Sequence, residues 1–186
     1  MKTKDEIDKI RAVVLYILAQ FPNGIDLIKL FKIMYFAQKA HLVKYGRGIM
    51  GDSFYALKHG PVPSFTYKSI QVNQGKIKAT ADLDEIAAVI SLRDNKMYAK
   101  IDVDKEELSV SDVKCIDNAI AEYKNVDSYA LSDLSHDEAW KEAYMRSQDD
   151  PEKNKMTLID IANAGNASTH IIDKIRESEQ IRMAFS

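Results

Sequence analysis

The sequence predicts a mainly α-helical α+β domain with one small antiparallel β-hairpin, and three observations carry that prediction. Apolar residues recur at helical spacing through most of the chain. The segment from Asp26 to Tyr45 is apolar around most of its circumference, the pattern of a helix covered on nearly every side. Asp94-Asn95, a pair that tolerates left-handed backbone, stands between two short runs rich in apolar and β-branched residues. With 186 residues, 46% of them hydrophobic, the chain can bury one sizeable core.

In chain order, Ile7, Ile10, Val14, Ile17, Leu18 and Phe21 form one helical stripe opposite Asp5, Asp8, Lys9 and Arg11, so a first helix faces the core. Pro22-Asn23-Gly24 breaks it, Asp26 caps the second helix, and Gly46 and Gly48 end that helix. Leu27, Leu30, Ile33, Met34, Ala37 and Leu42 make the second helix's apolar arc, with Ile28, Phe31 and Tyr35 widening it; this is the expected central element. Lys29, Lys32 and Lys39 share the remaining arc with Phe36 among them, which reads either as a solvated face or as a partner-binding surface anchored by Phe36. Residues 52–58 read as extended, Gly60-Pro61 as a turn, and the stretch from Pro63 to Val72 as a helix whose proline sits in the first turn. Two strands follow, 88–92 and 97–103, joined at Asp94-Asn95. Val113, Ile116, Ile120 and Tyr123 mark a helix starting near Ser109 or Ser111, and another runs from Asp137 toward Arg146. The polar run 147–155 is the best boundary, so residues 1–150 read as the domain. Residues 151–186 read as a C-terminal extension with a helix at Ile171, Ile172 and Ile175, docked on the domain or on a partner.

Charge and motifs then bound the function. Twenty-six Lys and Arg against 28 Asp and Glu leave no basic field to attract nucleic acid, and no apolar run approaches the roughly 20 residues that span a bilayer. The N-terminal residues lead into an amphipathic pattern, and the lone Cys115 fits a reducing compartment, so a cytoplasmic protein is expected. Gly-rich phosphate loops, zinc-protease helices and nucleophile elbows have no counterpart here, and His41, His59, His136 and His170 lack ligand spacing; neither metal nor cofactor is expected. His136-Asp137-Glu138 is the one tempting acid–base or metal cluster. A capping box from Ser135 to Glu138 accounts for its carboxylates more economically. Trp140 is expected in the core, the Tyr35 hydroxyl on a buried polar partner, and Cys115 as an inert thiol.

Three blocks in order give the chain a family resemblance across roughly residues 26–147. They are Lys32, Tyr35, Phe36, Ala37 and Gln38; Ala56, Gly60, Pro61 and Val62; and Ser135, His136, Ala139 and Trp140. Together they resemble the Panacea domain, the SocA-like antitoxin family of bacterial toxin–antitoxin pairs and prophages, which includes phage-associated GepA-like proteins. Leu57 departs from the pattern, which usually has an aromatic there, so a local contact is either lost or replaced by Phe54 or Tyr55. The resemblance implies a non-enzymatic protein that neutralises a cognate protein toxin by binding it, or an adaptor that delivers the toxin to a AAA+ protease. DNA-binding autoregulation is disfavoured by the near-neutral charge, and a hydrolase built on His136 is the remaining alternative. The motif residues Tyr35, Gln38, Ala56, Gly60, Pro61, Val62, Ser135, His136 and Trp140 are expected to be structural and to meet beside the central helix. The toxin-facing surface is expected on Lys29, Lys32, Phe36 and Lys39, supplemented by the segment after Asp150.

Overall fold

Asp26 begins the central helix by accepting a hydrogen bond from the Lys29 N–H at 2.9 Å, and Gly46, at φ 68°, ends it by donating its N–H to Leu42 O. In this computed structural model, which describes residues 2–184, that helix is α2 (Leu27–Tyr45), and every residue from Leu30 to Gln38 is buried. The helices arranged around it are α1 (Lys4–Ala19), α3 (Ser64–Asn73), α4 (Ala81–Ala87), α5 (Val110–Tyr123), α6 (Ser128–Leu134), α7 (Glu138–Asp149), α8 (Leu158–Ala164) and α9 (Thr169–Ala184). Five short strands complete the fold: β1 (Ile25–Asp26), β2 (Phe54–Leu57), β3 (Gly60–Pro63), β4 (Ile90–Arg93) and β5 (Lys96–Ala99). The architecture is mainly helical α+β, and no helix among the described residues is long and apolar enough to cross a membrane.

The strands form two small antiparallel sheets. β4 and β5 pair across Asp94 and Asn95, whose φ values of 50° and 60° give the left-handed turn their residue types favour, and β1 adds to the far edge with Ile25 opposite Met97. The expected strands there are shorter in fact. The chain at Ala87 is still the end of α4, so β4 begins at Ile90, and pairing stops at Ala99. The second sheet is a hairpin in which β2 pairs with β3, from Phe54 opposite Pro63 to Leu57 opposite Gly60. Gly60-Pro61 is thus the first half of a strand rather than a turn; the turn is Lys58-His59. Pro61 and Pro63, which have no N–H to give to a ladder, are tolerated because β3 has only one strand neighbour.

One capping expectation is corrected. Ser135 lies in αR conformation (φ −84°, ψ −5°) as the last turn of α6, so it cannot be the extended N-cap of α7. Asp137 fills that role, accepting from the Trp140 N–H at 3.1 Å, while the Ser135 hydroxyl donates to Ser132 O at 2.7 Å. After Asp150 the chain continues into the same core, to which Met156, Ile161, Ile172 and Ile175 contribute.

Leu30 and Met34 have no exposed surface. Replacing either by alanine is expected to cost about 2–5 kcal/mol through lost transfer energy and a residual cavity, read as a lower urea midpoint with an unchanged m-value.

Candidate functional site

Residues three and four apart on a helix share a face, and on α2 this places Lys32, Tyr35 and Lys39 along one line, with Gln38 at its edge. The polar tips on that face hold three separate segments of chain. Lys32 is 1% exposed, and its Nζ donates to Pro61 O at 2.9 Å. The Tyr35 hydroxyl and Lys39 Nζ both donate to Asp137 Oδ2, at 2.7 and 2.8 Å, fixing the start of α7. Gln38 Oε1 accepts from the Ile49 N–H at 2.8 Å and its Nε2 donates to Met50 O at 3.3 Å, setting the path of the chain after α2.

The tip of the β2–β3 hairpin is held through every second carbonyl. Leu57 O accepts from Trp140 Nε1, His59 O from the Ser132 hydroxyl, and Pro61 O from Lys32, each at 2.9 Å. The donors come from α7, α6 and α2. Gly60 sits in the middle at φ 96°, and a Cβ there would run into the Ser135 hydroxyl and the Lys32 ammonium; only glycine supplies both the backbone angle and the room.

The electrostatics follow from burial. Removal from water pushes the Lys32 amine down to about 7, and its Nζ makes no ion pair among the described residues. His136 stacks on Trp140 at 3.7 Å between ring centroids and 15° between planes, and Trp140 stacks on Tyr144 at 4.7 Å. Burial lowers the His136 pKa; Lys32 and His59 push the same way, whereas Asp133 and Asp137 oppose them. The His136 Nε2 atom is buried with no hydrogen-bond partner among the described residues. Burial also drives the Tyr35 phenol above its ordinary range, reinforced by the Asp137 carboxylate it donates to.

The expected basic face is corrected by this geometry. Lys32 points inward, and Phe36 is 7% exposed with its ring 4.3 Å from that of Tyr123, because α5 and α6 cover this side of α2. Lys29 and Lys39 do reach the surface, yet Lys29 donates to Lys124 O at 3.1 Å and Lys39 is committed to Asp137. Phe36 and Lys39 instead wall a shallow pocket of about 330 Å³ beside Tyr123 and Leu134. Trp140 lies at the margin of the core rather than inside it, with its indole N–H on the hairpin. Cys115 is buried, and burial raises its thiol pKa, as an inert thiol requires.

Two polar centres escaped the sequence reading. Asp112 is wholly buried and takes Lys9 Nζ, the Ser109 N–H at 2.9 Å and His41 Nε2 at 3.2 Å. Asp52 caps α3 from a distance, accepting from the Phe65 and Thr66 N–H groups at 2.9 Å. Ser109 and Asp112 carried a visible signal, a capping box; the long-range partners carried none.

A family model described as antitoxin SocA-like, Panacea domain, matches residues 30–141. The chain belongs to this family. The match opens two residues before Lys32 and closes one after Trp140, so the Panacea segment of this chain is the stretch that contains α2, the hairpin and the stacked start of α7. A search of curated proteins and another of solved structures each found no match.

Two outcomes are expected from this arrangement. Gly60→Ala is expected to lower stability by more than about 1 kcal/mol, in contrast to the small gain alanine brings where φ is negative. The second concerns Lys32, whose folded pKa of about 7 lies below its ordinary 10.5, so the unfolded chain holds the extra proton between those values. Stability contributed by this group therefore rises as pH climbs from about 7 toward 10.5, and its cost is fully present below 7. Urea titrations at pH 7 and pH 9 are expected to show the native chain gaining about 2 kcal/mol more than Lys32→Met over that interval.

Proposed function

We propose that this chain neutralises a cognate protein toxin by direct binding, acting without turnover of a substrate. Membership of an antitoxin family supports the role in general terms. The observation that favours binding over chemistry is the engagement of Asp137, the carboxylate next to His136 in sequence. Its two oxygens accept from Tyr35, Lys39 and the Trp140 N–H, so the group is spent as a helix cap and a clamp. A general base must offer a lone pair to an incoming proton, and most of this carboxylate's acceptor positions are taken by three donors that hold the fold together.

The test is co-expression with the product of the adjacent gene in a bacterial host. Growth rescue together with recovery of a stoichiometric complex is the expected result. Rescue with no recoverable complex, in a host where the toxin's level falls and where deletion of AAA+ proteases abolishes protection, would replace blocking by delivery for degradation. Stoichiometric metal found by elemental analysis, and lost in a folded His136→Ala variant, would revive the hydrolase reading.

A further inference from the structure

The inner face of α9 changes character part-way along the helix. Ile172 and Ile175 are buried, and the next residues on that face, Glu179, Arg182 and Met183, overhang a groove of about 680 Å³ instead of packing. Its floor is made by Ile49, Met50, Phe54, Met156 and Ile161, and its opposite wall by the first turns of α1 with Glu107. Met183 is 73% exposed on the rim, a large apolar side chain held in water beside an apolar floor.

Charge and backbone geometry together select an occupant. Five carboxylates and three cations line the groove. Asp52 and Glu6 are spent inside the fold, on the start of α3 and on the Thr3 N–H, and Lys9 is neutralised by the buried Asp112 beneath it. Asp5, Glu107 and Glu179 make no side-chain hydrogen bond or ion pair among the described residues, and Lys155 and Arg182 also line the groove. The local balance is acidic. An added strand is excluded on the β2 side, because the outer edge of β2 is already taken: Tyr55 pairs with Lys155, and the Met156 N–H donates to Phe54 O at 2.9 Å. A helix brings its backbone bonds already satisfied and needs only side-chain contacts.

We infer that this groove receives an amphipathic, basic helix of the toxin, apolar residues on the floor and against Met183, lysines or arginines against Asp5, Glu107 and Glu179. The inference rests on the antitoxin reading and assigns it a surface outside the residues matched by the family model, apart from the 48–54 loop and Glu107. Such a division would let a shared scaffold meet its partner through a surface mostly outside the family segment.

The experiment measures affinity for the adjacent-gene toxin by calorimetry, using the full chain and the triple variant Asp5→Asn, Glu107→Gln, Glu179→Gln. The variant is expected to bind about tenfold more weakly or worse, to lose much of the salt dependence of the native chain, and to keep its melting temperature. Met183→Asp alone is expected to weaken binding while Tyr129→Ser, on α6 and outside the groove, leaves it unchanged. Hydrogen exchange in the complex is expected to protect residues 153–158 and 177–184. Native affinity in the groove variants, or protection confined to another face, overturns the inference while leaving the antitoxin reading intact. A native chain with no affinity for the toxin overturns both. Self-association that the groove variants abolish in the toxin's absence assigns the groove to a second copy and overturns the heterologous assignment.

Discussion

A lysine amine taken out of water, beneath the tip of a hairpin and with one carbonyl to receive it, is the constraint on which the family-defining part of this fold depends. Burying an unpaired ammonium is costly, so the site exists in a form where the amine is easily neutral and its one strong contact is Pro61 O. That contact demands a close approach of β3 to α2, and the approach demands glycine at position 60. It also brings Ser135 against the same spot, which places the end of α6 and hence the start of α7. Tyr35 and Lys39, one turn and two turns along α2, then fix Asp137, and Trp140 returns a hydrogen bond to the hairpin. The three blocks that are far apart in sequence form one closed circuit of contacts.

Much of the scaffold was legible beforehand, and the reasons are local. The all-round apolar pattern of α2, the Asp26 and Gly46 caps, and the Asp94-Asn95 turn each depend on residues within a few positions of one another. The basic stripe misled for a physical reason: lysine at positions 29, 32 and 39 looks like a solvated arc, and only the arrival of β3 and α6 from elsewhere turns the middle one inward. Helices α4, α6 and α8 have seven residues each, too few to show a period, and they are held by caps at Thr80, Asp127 and Thr157 and by tertiary contact. Ser135 and Glu138 had the right spacing for a cap, but the preceding helix claimed Ser135 first.

The tail carries structural weight that its position outside the family match conceals. Met156 and Ile161 close the side of the core next to β2, and Ile172 and Ile175 seat α9, where Lys174 also donates to Tyr45 O at 3.0 Å. Beyond Ile175 the last turns of α9 border the groove. Scaffold and margin are therefore physically different regions: the first is a network of buried polar contacts between distant segments, and the second is an apolar floor with carboxylates around it.

The clamp on alternate hairpin carbonyls has a kinetic consequence. Its donors lie 29, 73 and 83 residues from the carbonyls they hold, so the tip of this two-stranded sheet cannot be secured by its own neighbours. Two strands alone are marginal in water, and contacts of such long separation form only after most loop-closure entropy has been lost. During synthesis, the β2–β3 tip emerges long before α6 and α7 exist to grip it. The grip on the segment that marks the family can be completed only once the chain has passed Trp140.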